Sequence, residues 1–265
     1  MSGSRIRALV ARELLDVSRH LTTLLPVVLI TLLSLVMPFG LAIGIPWMTA
    51  HPLSQDSELV RLSAVAGGAA LAPEARVQLF LLQQFLMLFL ITPITGAMTM
   101  AAHAVIGEKQ ARTLEPLLAT PATTSELLVA KVVGALLPTL AISLAGLAVY
   151  LGGVVLLAAP GVAPAMVNAR TAILILLVAP AAALVALQSA IVVSSRVNDA
   201  RTAQQFAVLI IVPLAIVIVA QFTGALWLSA PQLALVGVGL FGVWCLLVAL
   251  SVALFDRESI LTRWR

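Results

Sequence analysis

The stretch that decides the fold is VVGALLPTLAISLAGLAVYLGGVVLL, residues 132–157, which runs for 26 residues without a charged side chain. About 20 apolar residues in a helix suffice to cross the hydrocarbon core of a bilayer. The rest of the chain resembles this stretch, because 62% of its 265 residues are hydrophobic, only 10% are charged, and its mean hydropathy is +1.13. Soluble domains carry about 25% charged residues. The sequence therefore predicts an all-α, polytopic membrane protein.

Working outward from this run, the uncharged stretches predict six transmembrane helices within one domain, residues 1–265. The last two come from a single uncharged run, residues 202–255, which is too long for one helix and contains a proline-marked break near residues 228–232. The predicted spans lie near residues 24–47, 79–106, 128–157, 171–195, 206–227 and 232–255.

The basic residues predict the orientation of these helices. With the N-terminus inside, twelve Lys and Arg residues fall in inner segments, and only Arg61, Arg76 and Arg170 fall in outer ones. This asymmetry follows the positive-inside rule, so we expect a multi-pass protein of the cell membrane with both termini cytoplasmic. The same rule accounts for the net charge of +4, and no nucleic-acid partner is expected.

The segment before the first span, residues 1–21, is predicted to contain an amphipathic helix. Apolar residues recur at steps of three and four from Ile6 to Leu21, and Arg5, Arg12 and Arg19 lie on the opposite side. Such a helix either lies in the membrane interface or continues the first span into the cytoplasm.

A polar segment, residues 107–131, separates the second and third predicted spans on the cytoplasmic side. Thr113 can cap a helix whose first turn holds Glu115 and Pro116. Pro121 ends this short helix, and a capping box from Thr123 to Glu126 starts the next one. A short helix with one apolar face suits the groove of a partner protein. An interfacial helix that touches only lipid headgroups has the same pattern.

The segment EKQARTLEPLLATP, residues 108–121, resembles the signature of the type 2 permeases of ATP-binding-cassette exporters. The family pattern is Glu-Arg-Glu-x-x-Thr-x-Glu-x-Leu-Leu-x-x-Pro after the second span, and Gln110 and Pro116 depart from it. Residues 194–204 and 255–258 resemble the family's fourth-to-fifth loop and its ending. The resemblance extends over the whole chain in length and in number of spans.

The resemblance implies that residues 107–127 form a coupling region that contacts a separate ATPase subunit. Two permease chains, as a homodimer or as a heterodimer with a homologue, would then enclose the path within the lipid. No cofactor is expected in this chain, because ATP and Mg would be bound by the partner ATPase. The implied ATPase-coupling residues are Glu108, Arg112, Thr113, Glu115, Leu117, Leu118 and Pro121.

The motifs that the chain lacks restrict the alternatives. It contains no G-x-x-x-x-G-K-[ST] phosphate loop and no H-E-x-x-H, so neither ATP hydrolysis nor a zinc enzyme is predicted. We expect no ionisable group in the predicted spans, which disfavours an ion-coupled secondary transporter. A membrane anchor for a soluble complex stays open. The candidate path-lining residues are Gln83, Gln84 and Gln188, whose amides equally suit hydrogen bonds between helices.

Overall fold

The computed structural model describes residues 7–12, 14–15, 24–110, 124–197, 202, 205, 211–223 and 225–254. Within these ranges every regular element is a helix and no strand is present, which confirms the all-α prediction. The longer and shorter α-helices are α1 (Leu25–Phe39), α2 (Ile45–Thr49), α3 (Ser57–Ser63), α4 (Pro73–Leu88), α5 (Ile91–Gln110), α6 (Thr124–Leu157), α7 (Val162–Met166), α8 (Ala169–Ile173), α9 (Ala179–Arg196), α10 (Ile211–Phe222) and α11 (Ala230–Leu254).

Among the described residues, five helical segments are long and apolar enough to cross a membrane. They correspond to the first, second, third, fourth and sixth predicted spans. The fifth predicted span, residues 206–227, is described mainly through the 12 residues of α10, so the count of six stays a prediction. The five segments are Leu25–Thr49, Pro73–Ala104, Val129–Leu157, Ala169–Ser194 and Ala230–Val252.

Three of these segments contain charged residues near one end. Glu74 and Arg76 lie within Pro73–Ala104, Lys131 within Val129–Leu157 and Arg170 within Ala169–Ser194. The expectation that the spans hold no ionisable group is therefore wrong at their ends. A helix continues for as long as its backbone bonds and packing allow, and it does not stop at the first charged residue.

Proline interrupts the second span. The turn at Phe89 and Leu90 separates α4 from α5, and Pro93 follows it. Pro93 has no N–H to donate to the carbonyl of Phe89, four residues earlier. The backbone N–H of Thr92 bonds that carbonyl instead, at 3.1 Å, which tightens the turn locally.

Two five-residue π-helices have a related cause. One joins α1 to α2 (Gly40–Gly44) and the other joins α8 to α9 (Leu174–Val178). In each, the residue after the π-helix bonds the carbonyl five residues back, and a proline follows at once, Pro46 or Pro180. Because proline cannot supply the next α-helical bond, a wider turn is tolerated there.

Helices α4 and α5 lie at the centre of the bundle. The segment Pro73–Ala104 is 83% buried over its apolar window, whereas Ala230–Val252 is only 11% buried. α5 packs against α9, α6 and α1, and α9 also packs against α11. The α5–α9 contact is rich in buried alanines, which allow the two backbones to approach closely. α1, α6 and α11 thus form the periphery, with apolar side chains left for lipid or another subunit.

The segments outside the bundle are described in part. Residues 7–12 and 14–15 are helical, and the interfacial placement of the predicted N-terminal helix stays a prediction. Residues 48–78, which lie between the first two predicted spans and are therefore expected to form an outer loop, are themselves folded. Asp56 caps α3 by accepting the N–H groups of Glu58 and Leu59, and Glu74 accepts backbone N–H groups from Leu53 and Ser54.

Candidate functional site

The predicted coupling region lies largely outside the described residues. This applies to Arg112, Thr113, Glu115, Leu117, Leu118 and Pro121. Glu108 is in the last turn of α5, where only its backbone is described. The structure does place the two helices that carry this region, since α5 ends at Gln110 and α6 begins at Thr124.

A buried lysine ties these two helices together next to the coupling region. Lys131 is 6% exposed, and its Nζ donates a hydrogen bond of 3.0 Å to the carbonyl oxygen of Ala104 in α5. Glu126, one turn earlier in α6, is also buried. A buried ammonium group is tolerated only with polar partners, so this bond fixes the start of α6 against the end of α5.

The candidate path-lining pair, Gln83 and Gln84, is fully buried in α4 and faces α8 and α10. Gln84 Nε2 donates to the backbone carbonyl of Gln221 in α10 at 2.8 Å. Gln83 Oε1 accepts from Arg170 Nη1 in α8 at 3.4 Å. Both amides therefore join helices to one another, and their role as path lining stays a prediction.

Arg170 is the centre of this polar cluster. Its Nη2 donates to the side-chain Oε1 of Gln221 at 3.0 Å, and its Nε donates to the carbonyl of Leu228 at 3.0 Å. The guanidinium carbon lies 4.0 Å from the ring centroid of Trp227, which in turn stacks on Phe80. The side chain is only half-buried, so the cluster retains an exposed edge.

The third candidate path-lining residue, Gln188, lies in the contact between α9 and α11. Its Nε2 donates to the hydroxyl oxygen of Ser251, and both side chains are buried. Gln188 Oε1 has no hydrogen-bond partner among the described residues. The bond joins a central helix to a peripheral one, and path lining by Gln188 also stays a prediction.

An apolar cavity of about 80 Å³ lies where two of the proline irregularities face α6. Phe89 and Pro93 line it from the α4–α5 turn, and Pro180 from the start of α9. Ser143 of α6 supplies the one hydroxyl in this lining, and its Oγ has no hydrogen-bond partner among the described residues. The arrangement suits a hydrophobic group with a single polar atom.

The Arg170 cluster could not be predicted from the sequence, in which the charge pattern places Arg170 in an outer segment. Its partners Gln83 and Gln221 are 87 and 51 residues away, so spacing carries no signal of the contact. One signal was present: Arg170 directly precedes an apolar run that begins at Thr171. A cation at that position must find polar partners or turn toward water.

The described residues contain no group of three or more His, Cys, Asp or Glu side chains that could hold a metal ion. The pattern of the ABC-2 family transporter proteins matches residues 7–236, most of the chain. No curated protein matches this chain. The matched range contains four of the five candidate membrane-spanning segments, the start of the fifth, the predicted coupling region and the Arg170 cluster. The chain therefore belongs to the ABC-2 transporter family, as a membrane permease subunit of an ABC transporter.

Proposed function

We propose that this permease forms the membrane path of an ATP-driven exporter and is driven by a separate ATPase subunit. The observation that carries the proposal is the family signature at residues 108–121, set between α5 and α6. The Lys131–Ala104 bond holds those two helices together. A segment that connects two helices bonded to each other can transmit a displacement on the cytoplasmic side to the bundle. ATP and Mg belong to the partner chain.

The proposed mechanism begins with closure of two ATPase subunits around nucleotide. Closure displaces the short helix predicted within residues 107–127, and this tilts α5 and α6 together, because they are joined at their cytoplasmic ends. α5 packs on α9, so the movement reaches the centre of the bundle. The turn at Phe89 and Leu90 is a break at which α4 and α5 can change angle.

A second permease chain completes the path in this proposal. The peripheral helices α1, α6 and α11 present large exposed apolar residues, among them Leu33, Leu144 and Leu246. These faces contact lipid or a second permease, either an identical copy or a homologue. The cavity near Ser143 favours an amphipathic or lipid-like cargo over a bare ion.

One experiment distinguishes the proposed function from two others. Inside-out vesicles containing the chain and its ATPase should take up amphipathic cargo only when ATP is hydrolysed. The chain purified without the ATPase should show no ATP turnover, because it has no phosphate loop. Uptake driven by an ion gradient without the ATPase would indicate a secondary transporter. Stable ATPase binding without uptake of any cargo would indicate an anchor.

The proposed orientation predicts opposite labelling of two single cysteines. In a Cys245→Ser background, Ser57→Cys should react with an impermeant maleimide in intact cells, because Ser57 is exposed at the start of α3 in the outer loop. Thr120→Cys, in the predicted coupling region, should react only after the cells are opened. Reaction of Thr120→Cys in intact cells would reverse the topology, and the Cys245→Ser protein alone gives the background.

A further inference from the structure

The guanidinium of Arg170 carries a charge that no described residue neutralises. In the part of the chain that the structure describes, no carboxylate forms an ion pair with it, and its three hydrogen-bond acceptors are all neutral. The outer acids are occupied elsewhere: Asp56 caps α3, Glu58 pairs with Arg61, and Glu74 accepts two backbone N–H groups. The predicted topology places the chain's other eight acidic residues on the inner side.

The cluster also has more hydrogen-bond donors than acceptors. A guanidinium has five N–H groups and can only donate, and Arg170 uses three of them. Gln83 and Gln221 must turn their Oε1 atoms toward it, which leaves both Nε2 atoms pointing elsewhere. These two Nε2 atoms are buried and have no acceptor among the described residues. The unused polar hydrogens of these three side chains are therefore donors without an acceptor.

An anion supplies what this arrangement lacks. A phosphate or carboxylate group offers several acceptor oxygens and a negative charge, and arginine binds both in a two-pronged geometry. The ring of Trp227 covers one face of the guanidinium, and the half-buried side chain of Arg170 leaves a route of approach. Arg170 lies at the outer end of an apolar helix, at the depth where a lipid-like molecule has its headgroup.

We propose that Arg170, held in place by Gln83 and Gln221, binds the phosphate or carboxylate group of an anionic amphiphile at the outer end of the bundle. Gln84 positions Gln221 through its backbone carbonyl. The site does not depend on the direction of transport, because a resident lipid and a cargo molecule would use the same contacts.

The test measures thermal stability of the full chain in a neutral detergent with added lipid. Phosphatidylglycerol at about 100 times its Kd should raise Tm by about 5 °C. Phosphatidylcholine, whose headgroup has no net charge, should not. Inorganic phosphate is the third addition. An equal shift with inorganic phosphate would show that the site takes a free anion and would overturn the lipid assignment.

Variants separate an anion site from a structural arginine. Arg170→Gln should lose the phosphatidylglycerol shift. Gln83→Glu places a carboxylate on the guanidinium, so it should raise Tm without lipid and also lose the shift. Gln83→Glu tests the proposal even if Arg170→Gln fails to fold. Arg61→Gln is the matched control, because Arg61 is an outer arginine with a 76% exposed side chain, and it should keep the full shift.

Three further outcomes would overturn the proposal: no difference between the two lipids, a full shift in Gln83→Glu, or loss of the shift in Arg61→Gln. In the first two cases Arg170 acts only as a tie between α4, α8 and α10. In the third, the lipid responds to the general positive charge of the outer surface.

Discussion

Replacing Gly96 with leucine should force apart the three helices that meet at this residue and strongly destabilise the bundle. A Cβ atom at Gly96 would lie 2.6 Å from Thr139 Cγ2 and 3.1 Å from Val27 Cγ1. Both neighbours are about 1% exposed, and Thr139 is held by a hydrogen bond from its Oγ1 to the Ala135 carbonyl. Neither side chain can move aside, so α5 would have to separate from α1 and α6.

The expected size of this effect follows from overpacking of a close helix contact. Extra methylene groups in a filled core cost about 1–3 kcal/mol, and occasionally more. We expect Gly96→Ala to fall within this range and Gly96→Leu at its upper end or above. Two measurements test this prediction: the free energy of unfolding in detergent and the amount of monodisperse protein.

The matched control is Gly152 in α6, where an added Cβ would have no neighbour within 4 Å. Gly152→Ala should be neutral or stabilising by up to about 1 kcal/mol, because alanine favours helix more than glycine. If Gly96→Leu were as stable as the unchanged protein while Gly152→Ala behaved normally, α1, α5 and α6 would not pack as described.

The membrane helices were predictable because their signal is local. A run such as residues 132–157 has no acceptable environment except lipid or a buried core, and its length matches a bilayer. The predicted start of the third span at residue 128 and the observed Val129–Leu157 nearly coincide. The second span begins six residues earlier than predicted, at Pro73, because Glu74 and Arg76 bond backbone groups of the folded outer loop.

The breaks in the helices could not be predicted from the prolines alone. Pro138 lies inside α6 without ending it, whereas Pro93 follows a turn and Pro180 follows a π-helix. All three remove one backbone hydrogen bond. Whether the helix bends, widens into a π-helix or continues depends on the helices that pack against it. The residues of those helices are distant in the sequence.

The candidate site likewise has one part that could be predicted from the sequence and one part that could not. The family signature at residues 108–121 is a local pattern and was visible in the sequence. The contacts of Arg170 with Gln83 and Gln221 depend on three helices meeting, so composition and spacing placed Arg170 only in an outer segment. The count of basic residues predicts the side of the membrane on which Arg170 lies, whereas its hydrogen-bond partners can be identified only from the fold.

The coupling region carries the second large prediction. In the proposed complex, Leu117 and Leu118 fill a groove on the ATPase, and Glu115 engages its basic groups or braces the loop. Truncation of a well-buried leucine at an interface can cost about 2 kcal/mol or more, which is over tenfold in affinity. The Leu117→Ala/Leu118→Ala chain should therefore bind the ATPase more than tenfold more weakly while still inserting into the membrane. A pull-down of the ATPase measures this directly.

Two further variants separate docking from coupling and from helix stability. Glu115→Gln should retain most of the binding but lose the stimulation of ATP turnover by cargo. Thr123→Ala should act differently, because it removes the predicted cap of α6 and costs about 1 kcal/mol of stability. Cargo-stimulated ATPase rates and unfolding measured on the same preparations distinguish these effects.

The matched control for the leucine pair is a second adjacent pair in the same chain. Leu156 and Leu157 end α6, at the opposite end of this helix from the coupling region, and are 82% and 57% exposed. Leu156→Ala/Leu157→Ala removes the same atoms and should leave ATPase binding and coupling unchanged. If the Leu117–Leu118 variant also bound and coupled like the unchanged chain, the short helix would rest on lipid headgroups. The ATPase would then have to bind this permease elsewhere on its cytoplasmic face.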